Sequence, residues 1–218
     1  MWNSQVIIML LEGIRDTLYM TLASTLFGYI IGLPMGIVLT VTDKDGIRPN
    51  AAVYKVLDVI SNLLRSIPFI ILLIVLIPFT RFVVGRSYGS TATIVPLTIA
   101  AAPYIARMVE SSLKEVDAGV IEAARSMGAS DFQIVTKVML VEARTSLIVG
   151  ATISLGTILG YSAMAGTVGG GGLGDIAIRY GYTRWQTDIM VVTVVLLVIL
   201  FQIFQTIGMK IANRLDRR

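Results

Sequence analysis

The chain has 218 residues, 55% of them hydrophobic and 15% charged, with a mean hydropathy of +0.80. A water-soluble domain cannot carry so large an apolar fraction, so the composition argues a polytopic, multi-pass membrane protein, and its long uncharged runs make it all-α. Cys and His are both absent, which excludes disulfides, thiol nucleophiles, imidazole bases and Cys/His zinc or haem sites; no cofactor and no metal is expected.

Taken in chain order, Met1–Leu11 is apolar, without a basic n-region or a small-residue cleavage site. It reads as a short interfacial segment rather than a signal peptide. Five runs then lack Asp, Glu, Lys and Arg: Thr17–Thr42, Ser66–Thr80, Ser87–Ala106, Thr145–Gly174 and Ile189–Met209. About 20 apolar residues cross the hydrocarbon core, so each is expected to be a spanning helix. The short second run gains length through Phe82–Val84, with Arg65 and Arg81 snorkelling at its flanks. The fourth is too long for one helix and is expected to end near Gly166, followed by a Gly169–Gly172 loop. Asp175–Asp188, with Tyr180, Tyr182 and Trp185 beside Arg179 and Arg184, suits a segment that lies at the interface or folds part-way back. Pro34, Pro68, Pro78, Pro96 and Pro103 all fall inside the expected spans. Gly28, Gly32 and Gly36 share one helix face, as do Gly156 and Gly160. Such stripes let a neighbouring helix approach closely, in this chain or in a second copy.

Five spans put the termini on opposite sides. Of the 18 Lys and Arg, those of the first and third loops and of the C-terminal end, from Lys44 to Arg218, outnumber Arg15, Arg81, Arg86, Arg179 and Arg184 on the other side. The positive-inside rule then places the N-terminus outside and the C-terminus in the cytoplasm. The basic excess therefore reports loop charge, and no nucleic-acid partner is expected.

The longest polar segment, residues 107–144, faces the cytoplasm in this scheme and reads as helical. Val116, Val120, Ile121, Ala124 and Met127 recur at helical spacing after a capping Asp117. Gly128 supplies a left-handed stop. Ser130 with Gln133 forms a capping box that opens a second helix, carrying Phe132, Val135, Val138 and Met139 toward the membrane. The small pair Ala123–Ala124 beside Glu122 and Arg125 suits insertion into another protein's groove, and equally a helix resting on the bilayer.

Glu122-Ala123-Ala124-x3-Gly128-x9-Val138-x-Leu140 resembles the EAA loop of the permeases of binding-protein-dependent ABC importers. Val138 stands where that pattern has Ile, and Val141 where it has Pro. Arg65–Ile70, Ile94–Thr98, Ala102–Arg107, Gly160–Gly166 and Gly170–Gly174 look like the methionine-uptake branch of the family. The resemblance implies a type I ABC importer transmembrane domain over residues 14–208, with 107–144 as its coupling loop, in the bacterial cytoplasmic (inner) membrane. It implies methionine, D- and/or L-, as the substrate of an alternating-access importer. It further implies two copies of this chain, two copies of a separate ATPase that binds the ATP, and an external substrate-binding protein, all working in the lipid bilayer. By the same resemblance Glu122, Ala123, Ala124 and Gly128 carry coupling to the ATPase. This chain would then be no enzyme, in keeping with the absence of a G-x4-G-K-[ST] loop.

Gly169-x-Gly171-x-x-Gly174 formally fits a dinucleotide fingerprint, but no βαβ unit surrounds it. An ion-coupled secondary transporter of a small amino acid is the alternative function. Such carriers place ionisable groups within the bilayer, and the five runs hold none. An intramembrane enzyme would lack the usual acid-base groups. Tyr161, Ser162 and Met164 are candidate pathway-lining residues, against which stand local hydroxyl bonding and ordinary packing.

Overall fold

The first apolar run belongs to one helix, α1 (Ser4–Thr42), in a computed structural model that describes residues 4–215. Residues 1–3, which open the segment Met1–Leu11, and the basic Arg217 and Arg218 lie outside the described residues. From Ser4 onward that segment is not separate but forms the first turns of α1. Glu12, Arg15 and Asp16 interrupt the hydropathy without interrupting the helix, because none of them breaks helical geometry. At ~1.5 Å per residue its 39 residues reach well beyond a ~30 Å hydrocarbon core.

The second run is not one helix. α2 (Ala51–Ser66) ends before Pro68, α3 spans Phe69–Val75 and α4 spans Ile77–Val84. Pro68 caps α3 with an extended ψ of 133°, and the residue before a proline is held out of helical geometry. Pro78 lies in the first two positions of α4, where a missing N–H leaves no bond unmade. Of the five prolines placed inside spans, Pro34, Pro96 and Pro103 are indeed interior, whereas Pro68 and Pro78 begin helices.

α5 (Ser90–Lys114) continues past Arg107, so the polar loop starts later than the hydropathy implies. Arg107, Glu110 and Lys114 pair at i,i+3 and i,i+4 spacing, which supports the extra turns. α6 (Ala118–Ser126), α7 (Asp131–Gln133), a π-helical turn (Ile134–Met139) and α8 (Leu140–Glu142) follow. α9 (Arg144–Ala165) runs into a 3-10 turn (Gly166–Val168), close to its expected end. The next segment is helical: α10 (Gly172–Ile176) and a second π-helical turn (Ala177–Tyr182) lead to α11 (Thr187–Leu215). Among the described residues four helices are long and apolar enough to cross a membrane, or five if α2 and α3, interrupted at Pro68, are counted as one span.

The chain divides into two compact units. One comprises the described residues of Met1–Phe27, Ile67–Ala101 and Leu155–Gln205. Apolar clusters in it bring together Met20, Phe69, Leu73, Leu97 and Ala165, and Leu10, Leu173, Ile176 and Ile189. Here Gly156 gives room to Phe201, since an added Cβ would sit 2.6 Å from that ring, while Gly160 has open space. The other unit comprises Gly28–Ser66, Ala102–Ser154 and the described residues of Thr206–Arg218. Its α1 stripe packs on α5 of the same chain. A Cβ on Gly32 would lie 2.6 Å from the Ala102 carbonyl, and one on Gly36 2.5 Å from that of Ala106.

Candidate coupling hairpin and the charges beneath it

α6 is closed at both ends by short-range hydrogen bonds. The Asp117 carboxylate accepts from the Gly119 amide at 2.7 Å. At the far end the Gly128 amide donates to the Arg125 carbonyl and the Ala129 amide to that of Ala124, at 3.0 and 3.1 Å. With Gly128 at φ +83° this is a Schellman stop. The capping box is complete: the Ser130 amide donates to Gln133 Oε1 at 2.9 Å, and the Gln133 amide donates to Ser130 Oγ at 3.3 Å. The π-helical turn then brings Ile134 and Met139, five residues apart, inward together with Val135. Val141, in the proline position, leaves the chain helical on both sides: the Ala143 amide reaches the Met139 carbonyl and the Leu147 amide that of Ala143.

Of the four sequence-derived coupling residues, Glu122, Ala123 and Gly128 are exposed on this hairpin. Ala124 is not: it is 5% exposed, on a helix that packs against the first π-helical turn, where its small side chain allows close approach. The expected apolar face also needs correction. Val116 precedes the helix, and Met127 and Phe132 are 82% and 76% exposed, outward on either side of the Gly128 turn. Met127 is the C-cap of α6 and Phe132 lies in the first turn of α7, and at such helix ends a residue need not follow the interior period. Arg125 anchors α6 by donating to the Ile47 carbonyl at 2.8 Å, with Asp131 3.6 Å away. Beside the first turn of α6 a recess of about 660 Å³ opens between Asp117, Glu142 and Arg144.

A charge cluster that hydropathy does not reveal lies on the last turns of α5. Glu110, with its side chain 6% exposed, sits between the Arg107 guanidinium at 2.6 Å and Lys114 Nζ at 2.8 Å. Arg107 clasps α2 by donating to the Asp58 carboxylate and, at 3.1 Å, to Asn62 Oδ1. Lys114 reaches Asp43, just past α1, at 2.6 Å. Its hydrogen bond holds the Asp43 carboxyl below its ordinary range. Tyr54 of α2 donates its hydroxyl to Glu110 at 3.4 Å. The i,i+3 and i,i+4 spacing of Arg107, Glu110 and Lys114 was readable; their partners on other elements were not.

The three pathway candidates do not share one surface. Tyr161 stacks on Phe69 with ring centroids 4.6 Å apart. Ser162 is buried and donates to the Leu159 carbonyl one turn back at 2.8 Å. Only Met164, 46% exposed, is open, near exposed Gly160 on α9 and Thr167 in the 3-10 turn that follows it.

These features are those of a membrane-embedded transport subunit. Residues 19–218 match the family described as the binding-protein-dependent transport system inner membrane component, and the chain belongs to that family. The chain is 48% identical over 210 residues, 96% of its length and 93% of the relative's, to the probable D-methionine transport system permease protein MetI of Vibrio cholerae serotype O1. It is 54% identical over 158 residues, 72% of its length and 73% of the relative's, to the D-methionine transport system permease protein MetI of Escherichia coli K12. A solved chain from inward-facing conformations of the MetNI methionine ABC transporter superposes with a TM-score of 0.97 at 50% identity, covering 99% of this chain and 100% of that one. Membership of a binding-protein-dependent family does not favour the ion-coupled carrier.

Proposed function

We propose that this chain is the permease subunit of an ATP-driven importer that carries methionine, D- and/or L-, across the bacterial cytoplasmic membrane by alternating access. The observation that carries this reading is the superposition, at half identity over nearly the full length of both chains, on a chain of a methionine ABC transporter. Two copies of the chain pair around one pathway. Two ATPase subunits bind and hydrolyse the ATP, and a binding protein delivers substrate from outside. The transmembrane domain spans 14–208, with the N-terminus outside and the C-terminus in the cytoplasm.

The ATPase docks on the hairpin that ends at Gly128. Glu122 and Ala123 present the contact face, Ala124 sets the distance of α6 from the π-helical turn, and Met127 and Phe132 add apolar contact where the loop would otherwise be polar. The adjoining recess leaves room for a partner side chain. Met164, exposed near Gly160, lines the pathway; Tyr161 and Ser162 support it by packing and by bonding within α9.

Two experiments test this. In vesicles holding this chain, its ATPase and its binding protein, methionine uptake should require ATP. Gly128→Val, where an added side chain meets open space but left-handed strain of about 1–2 kcal/mol, should insert normally yet lose most uptake; Ala123→Asp should do the same. Normal insertion, normal ATPase binding and near-parental uptake in both would reduce the hairpin to a membrane-surface helix. For orientation, a cysteine at Thr183 should react with an impermeant thiol reagent from outside, and one at Ser130 only after the membrane is opened. The opposite pattern would invert the topology.

A further inference from the structure

We infer that Glu110 is the positioning residue that makes α2 and the parts of α1 and α5 within its own unit, residues 28–42 and 102–114, move as one body when α6 is displaced, an inference that rests on the importer reading above. The residues between α5 and α6 form a short, tied link: the Glu115 amide reaches the Ser112 carbonyl and the Val116 amide that of Leu113, both at 3.4 Å. A displacement of α6 is therefore delivered to the last turns of α5, where Arg107, Glu110 and Lys114 stand. Arg107 grips α2 through Asp58 and Asn62, and Lys114 grips the end of α1 through Asp43. Neither cation is held by its gripping partner alone. Each also shares the Glu110 carboxylate, one oxygen facing Arg107 and the other Lys114. That oxygen facing Lys114 is also the acceptor for Tyr54 of α2.

The chemistry explains why a buried carboxylate should stand there. A carboxylate withdrawn from water is costly unless charge-paired on both oxygens, and here each oxygen has its own cation. With Glu110 neutral, Arg107 would keep only its partners on α2 and Lys114 only Asp43, and these long, flexible side chains would recover rotamer freedom. The clasp on α2 and the clasp on α1 would then loosen independently. The helices could still pack through Gly32 and Gly36, but a push on α6 would no longer arrive at α1 and α2 together. Coupling is a difference in free energy between two states shared by two sites, and a loosened link lowers it without removing either site.

The test uses the complete complex of this chain with its ATPase and binding protein in vesicles, measuring methionine uptake and ATP hydrolysis in the same preparation. Glu110→Gln keeps shape and loses charge. It should insert, bind ATPase and hydrolyse ATP, while uptake per ATP hydrolysed falls about tenfold, within the usual range of allosteric coupling. Asp58→Asn, which leaves Glu110 paired, should lower the same ratio less and serves as the deciding variant if Glu110→Gln does not insert. Glu110→Asp should recover part of the ratio. A merely structural Glu110 would lower the thermal midpoint and the amount inserted while leaving the ratio parental, and that result would overturn the inference, as would a parental ratio for Asp58→Asn where it decides. A parent complex with no ATP-dependent uptake at all would instead overturn the importer reading on which the inference stands.

Discussion

The chain turns back twice after a long helix, at residues 118–139 and at 166–182. Each return contains a short helix, a left-handed glycine and a π-helical turn. In the first, the ends are closed by neighbours: Asp117 serves Gly119, Ser130 and Gln133 serve one another, and Ala129 reaches back to Ala124. In the second the end of α9 is likewise closed locally, the Gly169 amide donating to the Gly166 carbonyl and the Gly170 amide to that of Ala165, but no side chain of the segment caps α10. Its Leu173 amide donates to the hydroxyl oxygen of Thr17 on α1, 156 residues away, at 2.9 Å. Gly170 offers its carbonyl to Thr93, and Gly169 its carbonyl to the Gly89 amide. The glycines differ only in part: Gly169 of the second return, like Gly128, has a positive φ and nothing near an added Cβ, while others there are closely packed. Gly128 is glycine for its dihedral alone, with nothing near an added Cβ, whereas Gly174 would drive a Cβ to 2.1 Å from the Ala163 carbonyl. A return that meets water can satisfy its backbone locally. One that is buried must find, in the rest of the fold, the partners its own neighbours do not supply, and must be thin enough to approach them.

The largest effect should follow from thickening the second return. In Gly174→Ala the new methyl meets backbone atoms of Ala163, which cannot rotate aside, so a loss of at least about 3 kcal/mol is expected from overpacking. Gly128→Ala should cost only about 1 kcal/mol of left-handed strain. Thermal midpoints of the two detergent-solubilised variants make the comparison. Equal shifts would mean that close packing is not what separates the two returns.

Caps should rank the same way. Thr17→Val keeps the shape of the side chain but leaves the buried Leu173 amide without its acceptor, a cost of about 1–3 kcal/mol. Ser130→Ala removes a cap at an exposed helix start, where water can replace it, at about 1 kcal/mol or less. Hydrogen exchange at the Leu173 and Gln133 amides reads the two separately, and the comparison breaks if Ser130→Ala proves the more damaging.

The same contrast explains what was legible in the sequence. The first return could be read almost residue by residue because Asp117, Gly128, Ser130 and Gln133 act on groups within a few positions of themselves. The errors there came where a local rule stops applying, at Met127 and Phe132 beside the turn. In the second return the sequence marks the Gly169–Gly172 loop and a segment 175–188 that lies at the interface or folds part-way back, but not the short helix α10 between them, because its partner Thr17 looks like any other threonine in an apolar run. Ala124 was placed on a docking face because the EAA resemblance speaks of the family's function, while its burial depends on how α6 packs on the π-helical turn. The apolar runs located the helices α1, α5, α9 and α11, but not where they end. Charged residues stop a hydropathy run, and they do not stop a helix whose next turns are ion-paired, as the tail of α5 shows.

The smallest effect concerns a place where the hairpin side of the molecule also depends on a distant partner, the pair of Asp43 and Lys114. The Lys114 ammonium holds the Asp43 carboxyl below its ordinary value of 3.8. A carboxyl whose pKa is lower folded than unfolded stabilises the fold fully above the ordinary value. That contribution disappears as pH falls through the still lower folded value, so the sensitive window lies below about pH 4. The side chains are 17% and 41% exposed, and solvent screening limits such a pair to under about 1 kcal/mol. The measurement is the thermal midpoint of the parent minus that of Asp43→Asn, taken from pH 7 downward. The difference should be small and steady to about pH 5 and should shrink toward zero near pH 3, with added salt reducing it throughout. A difference that stays constant through the acid range would mean that Asp43 contributes shape and hydrogen bonding but no charge. The reliance on distant partners would then be a property of the buried return alone.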